Sequence, residues 1–153
     1  ACQIVCNSKI QLSVNNIIGF PDETREMIFD TININREFTA ASHGAYLFQP
    51  YRGTWLHEYC VKKGYIDASQ LASDLNLESC LNQPHITKEE LKGLHRTFPL
   101  YVKFPKSEWP LIQRAEKYDE EGNRIFEELG AIYRRQYFHS STLESPLHAG
   151  MES

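Results

Sequence analysis

The stretch that decides the fold is residues 10–24, which read IQLSVNNIIGFPDET. Residues 10–18 alternate, which is typical of a β-strand that packs one face on helices and turns the other, with Asn15, toward a polar interior. Gly19 ends the strand. The proline and the acidic residues that follow predict a helix start, because proline is tolerated in a first helical turn and carboxylates complement the helix dipole. The stretch therefore predicts a strand, a loop and a helix that runs to about Phe38.

The same pattern repeats once downstream. Residues 45–49, AYLFQ, are short and apolar and lie between Gly44 and Pro50, which predicts a second, buried strand. Thr54 can cap a helix that ends at Gly64, since threonine accepts a backbone N–H at a helix start and glycine commonly ends a helix. Two successive strand–helix units predict a parallel sheet and an α/β fold.

The second half of the chain is predicted to be helical. Residues 67–84 are polar with scattered leucines and allow either a short helix or an ordered loop. Thr87 and Glu90 have the spacing of a capping box, and Pro99 is expected to end or kink the helix that follows. Later helices are predicted from residue 107 and over residues 120–138.

Composition and charge narrow the class of protein. The 153 residues are 41% apolar and 24% charged, which fits one soluble globular domain and excludes disordered, collagen-like and coiled-coil chains. The formal net charge is −4 and the basic residues are scattered, so no nucleic-acid interface is expected. No run approaches the roughly 18 apolar residues of a membrane span, and no leader peptide stands out. The sequence therefore predicts a cytoplasmic protein without a membrane span.

Cysteines and histidines predict neither a metal site nor a nucleophile. Four cysteines without a secretory leader are too few for a disulfide scaffold, so reduced thiols are expected. Cys2 and Cys6 have the first spacing of a CxxxCxxC cluster motif, but Lys9 stands in the third position. The six histidines lack metal-ligand spacing, and no nucleophile elbow or glycine-rich phosphate loop is present. No catalytic residue and no metal ligand is assigned.

Two loops are the places to look for a ligand, because parallel α/β sheets bind ligands at the carboxyl ends of their strands. These loops are residues 15–23 and 48–54. The first brings two asparagine amides and a Gly-Phe-Pro turn that lets the backbone approach a ligand. Tyr46, Phe48 and Tyr51 could stack on a base, although core packing is the commoner role for such aromatic residues.

The motifs in these loops resemble those of the radical S-adenosylmethionine enzymes. Residues 17–24, IIGFPDET, and 48–54, FQPYRGT, are similar to motifs in the last two strand–helix units of that family. Residues 50–66, PYRGTWLHEYCVKKGYI, match the ending PYxGTxLxEYCxxKGYI of the subgroup that carries an N-terminal cobalamin-binding domain. Related methylthiotransferases have a Gly-Phe-Pro-Gly-Glu-Thr version of the first motif, with a glycine at the place of Asp22.

The resemblance implies a fold and a cofactor. The fold is a partial (βα)6 TIM-type barrel in which residues 1–66 supply about strands five and six, followed by a helical extension over 67–138 and a flexible tail over 139–153. The cofactor is S-adenosylmethionine, with the end of the fifth strand near its ribose and the end of the sixth beside its adenine. The cofactor-binding residues that the resemblance implies are Asn15, Asn16, Ile17, Gly19, Glu23, Phe48, Gln49, Pro50 and Tyr51.

The chain lacks the CxxxCxxC motif, strands one to four and a cobalamin domain. The resemblance therefore implies that the ligands of the 4Fe–4S cluster, and any cobalamin, lie outside the chain. The start at Ala1, without an initiating methionine, is expected of a C-terminal fragment that is inactive alone. Its partner would be the missing part of the barrel or a cluster-bearing subunit, and the substrate stays open. Two alternatives remain: a free-standing binding or assembly protein, and an enzyme that uses the Cys2 and Cys6 thiols.

Overall fold

The computed structural model describes residues 12–69 and 78–138. Within this part of the chain the sheet has two strands, β1 (Ser13–Ile18) and β2 (Ser42–Leu47), which run parallel. The helix α1 (Arg25–Arg36) connects them. A parallel pair needs such a crossover, because the chain must return to the same end of the sheet. The α/β arrangement predicted from residues 10–49 is confirmed for this strand–helix–strand unit.

Four of the α-helices in the described residues begin where the local sequence provides a side-chain cap. Threonine or aspartate stands at the N-cap of four helices, and each side chain accepts a backbone N–H from the first turn, as predicted for Thr54 and Thr87. The capping box of Thr87 and Glu90 is confirmed. The helices that follow α1 are α2 (Trp55–Lys63), α3 (Lys88–Lys103), α4 (Trp109–Ala115), which follows a 3-10 turn at Lys106–Glu108 and has no side-chain cap, and α5 (Glu120–Tyr133), which continues as a π-helical turn over Arg134–Phe138.

One core joins the strands to the later helices. The inner face of the sheet packs against α3, and α3 also packs against α1, α4 and α5. Apolar side chains from both halves of the chain are thus buried in the same core. This shared core stabilises the predicted barrel portion, which ends at residue 66, together with the helices that follow it. The fully buried members of this core include Ile18, Ile28, Ile32, Leu47, Leu91, Leu94, Phe98 and Ile112.

A second apolar cluster lies beside α2. It contains Phe48, Cys60, Tyr65, Ile66, Cys80 and Leu81. The backbone N–H of Asn82 donates to the carbonyl of Tyr65 at 2.8 Å and joins the two parts of this cluster. Cys60 and Cys80 are free thiols, and burial raises the pKa of Cys60 to about 11. A thiol with so high a pKa is a poor nucleophile at neutral pH.

The second strand differs from its prediction at both ends. It covers Ser42–Leu47, whereas the composition predicted residues 45–49. Gly44, the predicted boundary, lies within the strand and pairs with Asn15 in the ladder. Its carbonyl also accepts a hydrogen bond of 2.9 Å from the Asn16 side chain. Pairing with β1 therefore sets the extent of the strand, and local propensity does not.

Pro99 lies inside α3, so of the two predicted effects, an end or a kink of the helix, the end does not occur. The residues that follow it are buried, and their packing keeps the last turn helical despite the missing N–H. Arg36 supports the same end of the helix. Its Nη1 donates to the carbonyls of Tyr101, Val102 and Phe104 at 2.6, 2.9 and 2.6 Å, which satisfies groups that a helix end leaves free.

Three further expectations concern a membrane span, the cysteines near the N-terminus and the C-terminal tail. Among residues 12–69 and 78–138, no helix is both long and apolar enough to cross a membrane. Cys2, Cys6 and the expected tail over residues 139–153 lie outside the described residues.

Candidate functional site

A groove of about 550 Å³ opens at the carboxyl ends of the two strands. Small-molecule sites commonly measure roughly 300–1,000 Å³, so its size suits a ligand of that class. Its lining comes from both strands, from the loops that follow them and from the first turn of α2. The lining residues are Asn15, Asn16, Ile17, Phe20, Tyr46, Leu47, Phe48, Gln49, Tyr51, Thr54 and Leu56.

The outer face of the sheet presents a pair of apolar side chains and a polar one. Burial alternates along β1, so that Asn15 and Ile17 face outward. Ile17 is 50% exposed and pairs across the strands with Tyr46, which is 37% exposed. Asn15 pairs with Gly44, where any added side chain would contact the Asn15 amide oxygen at 3.4 Å. A glycine at this position therefore leaves the Asn15 amide uncovered.

Asn16 points its amide to the other side of the sheet. Its side chain and that of Asn35 on α1 exchange two hydrogen bonds, of 3.2 and 2.9 Å. The Asn16 amide nitrogen also donates to the carbonyl of Gly44. Because these bonds engage both polar atoms, Asn16 borders the groove but directs its amide into the layer between sheet and helix.

A buried carboxylate holds the loop after β1. Glu23 is 8% exposed, and its Oε2 accepts the backbone N–H groups of Gly19 and Phe20, the latter at 3.1 Å. Burial raises the pKa of Glu23 above its ordinary value. Gly19 has a φ of +82°, and a side chain there would meet Leu91 at 3.2 Å, so the position favours glycine. The Glu23 carboxylate and the close packing of Gly19 on Leu91 thus shape this loop.

The loop after β2 carries aromatic side chains to the rim of the groove. The rings of Phe48 and Phe20 lie 4.8 Å apart between centroids, inclined by 33°, and join the two loops. Gln49 is buried, and its amide nitrogen lies 3.4 Å from the carbonyl of Glu78. Tyr51 is 55% exposed. The rim of the groove thus has one exposed aromatic side chain, Tyr51, and the packed rings of Phe20 and Phe48.

The structure brings together most of the residues that the resemblance implied. Six of the nine line the groove: Asn15, Asn16, Ile17, Phe48, Gln49 and Tyr51. Gly19 and Glu23 do not line the groove, but the hydrogen bond between them shapes the first loop. Pro50 lies in the sequence between the lining residues Gln49 and Tyr51. The interpretation of aromatic residues as core packing holds for Phe48, but Tyr46 and Tyr51 are exposed.

Sequence reasoning did not assign Phe20, Thr54 and Asp22 to the site. Phe20 lines the groove, and its motif otherwise supplies Gly19 and Glu23 to the same loop. The hydroxyl of Thr54 donates to the carbonyl of Tyr51 at 2.7 Å, so the helix cap also fixes the second loop. Asp22 has a φ of +64°, and the signal was its position where related motifs have glycine.

The described residues do not form a metal centre. In residues 12–69 and 78–138 no three His, Cys, Asp or Glu side chains lie close enough to hold a metal ion. What the groove offers is stacking surface and hydrogen-bonding groups. Such a lining binds and orients a flat, partly apolar ligand that also carries polar groups.

The chain is similar to part of a methyltransferase. Over 88 residues, or 58% of this chain, it is 30% identical to an uncharacterized methyltransferase of Pyrococcus horikoshii. The match covers 19% of that protein, so the chain spans about a fifth of its relative's length. No family model and no solved structure matches the chain.

Proposed function

We propose that the groove binds S-adenosylmethionine and that the chain is part of a methyltransferase. The observation that carries the proposal is the position of the groove at the carboxyl ends of two parallel strands. The two loops that line it are those whose motifs resemble S-adenosylmethionine-binding loops. The likeness to a methyltransferase over 88 residues supports the same class of ligand.

The lining suits the chemical parts of this ligand. S-adenosylmethionine has a flat adenine, a ribose with two hydroxyl groups and an amino-acid arm. Phe20 and Tyr51 offer ring surface to the adenine, because aromatic side chains pack well on flat ring systems. The uncovered Asn15 amide can both donate to and accept from the ribose hydroxyls.

The finer proposal is a radical enzyme of the cobalamin-dependent subgroup. It rests on the motifs of residues 17–24 and 50–66. In this proposal the 4Fe–4S cluster and the cobalamin are held outside the described residues. The chemistry that such a cluster supplies is an electron for reductive cleavage of the sulfonium bond. The residues of this chain bind the nucleoside and orient it.

Equilibrium binding tests the ligand. Isothermal titration calorimetry with S-adenosylhomocysteine, the stable product of methyl transfer, should give a saturable signal with one site. Ile17→Arg should weaken binding by at least about tenfold, because a long charged side chain would fill the apolar groove. Ile34→Arg is the matched control, since Ile34 is 59% exposed on α1 and does not line the groove.

The outcomes separate clearly. The proposal requires loss of binding in Ile17→Arg and wild-type affinity in Ile34→Arg. No binding by the parent protein, or equal affinities in the two variants, contradicts it. The radical part has its own readout. Anaerobic turnover by the chain combined with the cluster-bearing part of the enzyme and a chemical reductant should release 5′-deoxyadenosine, whereas an ordinary methyltransferase would release only S-adenosylhomocysteine.

A further inference from the structure

Asp22 has a backbone conformation that few residues with a side chain adopt. Its φ is +64°, and in residues 12–69 and 78–138 no other residue except glycine has a positive φ. Aspartate enters this left-handed region more readily than most residues, but glycine does so at a lower cost. The contacts of its carboxylate are therefore what distinguish aspartate from glycine at this turn.

The Asp22 carboxylate fastens the loop after β1 to α2 and to the chain beyond it. The hydroxyl groups of Tyr59 and Tyr65 each donate a hydrogen bond to one of its oxygens. The backbone N–H of Asp22 donates to Gln83 Oε1 at 2.8 Å, and His85 Nε2 lies 3.8 Å from its Oδ1. The two tyrosine hydroxyls hold the pKa of Asp22 below its ordinary value, so the carboxylate is ionised at neutral pH.

Phe20 connects this anchor to the groove. It lies two residues before Asp22, lines the groove and packs on Phe48. Its backbone N–H is bound by Glu23, the residue that follows Asp22. The turn at Asp22 thus sets the direction in which the Phe20 ring leaves the backbone.

We propose that Asp22 is a positioning residue for the groove. Its carboxylate, bound to Tyr59 and Tyr65, fixes the turn that holds Phe20 against Phe48. Glycine at position 22 would permit the same φ but would form neither tyrosine hydrogen bond, so the loop would lose its anchor. A preformed wall favours ligand binding because less of the site must be ordered when the ligand arrives. The ligand part of this inference rests on the proposed function, whereas the positioning part does not.

Hydrogen–deuterium exchange of the ligand-free protein tests the positioning part. In Asp22→Gly and in the double variant Tyr59→Phe/Tyr65→Phe, exchange over residues 17–24 should accelerate by about tenfold, as expected when charge-assisted hydrogen bonds are lost. Asp22→Asn should change less, because its amide oxygen still accepts from one of the two hydroxyls. Asp22→Gly added to the double variant should cause no further acceleration, since both changes break the same contacts.

Asp119→Asn is the matched control. The Asp119 carboxylate likewise accepts hydrogen bonds, here from the backbone N–H of Gly122 at 2.8 Å and from Arg114, but at the start of α5. It should leave exchange over residues 17–24 unchanged. For S-adenosylhomocysteine, the dissociation constant should rise by about tenfold in Asp22→Gly and in the double tyrosine variant, and stay constant in Asp119→Asn.

Two results would overturn the inference. One is wild-type exchange over residues 17–24 in both Asp22→Gly and the double tyrosine variant. The other is an equal acceleration in Asp119→Asn, because that would reflect a general loss of stability. If the parent protein binds no S-adenosylhomocysteine, the proposed function fails while the exchange data still decide whether Asp22 positions the loop.

Discussion

The guanidinium group of Arg25 donates two hydrogen bonds, of 2.9 and 2.6 Å, to the carboxylate of Glu116, although 91 residues separate them. The hydroxyl of Tyr101 donates to the same carboxylate at 2.5 Å. Arg25 begins α1 directly after the loop that lines the groove, and Glu116 directly follows α4. The later helices are therefore fastened to the helix that leaves the site, which explains how they support its loops.

Glu116→Ala should lower the free energy of unfolding by about 3 kcal/mol, because it leaves Arg25 and Tyr101 without their shared acceptor in a largely buried place. Urea denaturation followed by circular dichroism measures this change. Arg124→Ala is the control, since it breaks an equally short but exposed pair with Glu128 and should cost less than about 0.5 kcal/mol. Similar small losses of unfolding free energy in both variants would show that the buried pair contributes little to stability.

Glu23→Ala should lower the free energy of unfolding by about 2 kcal/mol, because the N–H groups of Gly19 and Phe20 lose their acceptor. Glu23→Gln keeps an acceptor oxygen and should cost less. Burial raises the pKa of Glu23 in the folded chain, so its contribution to stability is greatest at low pH and declines as pH rises through that pKa. The stability of Glu23→Gln relative to the parent should therefore improve with rising pH, and a constant difference would contradict this account.

His43 should make the fold sensitive to mild acid. It is 2% exposed, its Nδ1 lies 3.0 Å from Asn35 Oδ1, and burial lowers its pKa to about 4. The unfolded chain takes up the proton at higher pH than the folded chain, so the stability that neutral His43 contributes is complete above about pH 6.5 and is lost as pH falls toward 4.

The measurement is the free energy of unfolding at pH 7 and pH 5 for the parent and for His43→Gln, which does not titrate. The parent should lose about 2 kcal/mol more than the variant over this interval. Equal losses would mean that His43 is not held in its neutral form.

Local signals predicted the helix starts and the first strand because the responsible groups are close in sequence. The caps at Thr54 and Thr87 each bind an N–H three residues on, and the outward direction of Asn15 follows from alternation alone. The position of the groove also followed, since a parallel pair brings both loops to one edge.

What the local sequence did not determine depends on contacts between distant segments. The helix continues past Pro99 because packing and Arg36 support the turn after it. Gly44 lies inside β2 and not at its boundary, because it pairs with Asn15 in the ladder. Asp22 was seen only as a departure from a glycine, because Tyr59 and Tyr65 lie about 40 residues further along the chain.

Photo-crosslinking tests the central claim most directly, because it reports where the ligand lies. The protein is irradiated with S-adenosylmethionine labelled in its methyl and adenine groups, and the labelled peptides are identified by mass spectrometry. We predict adenine label on peptides that contain Phe20, Phe48 or Tyr51, with competition by unlabelled S-adenosylhomocysteine. Competable label confined to peptides outside the two loops, or no competable label at all, would contradict the assignment of the groove as the S-adenosylmethionine site.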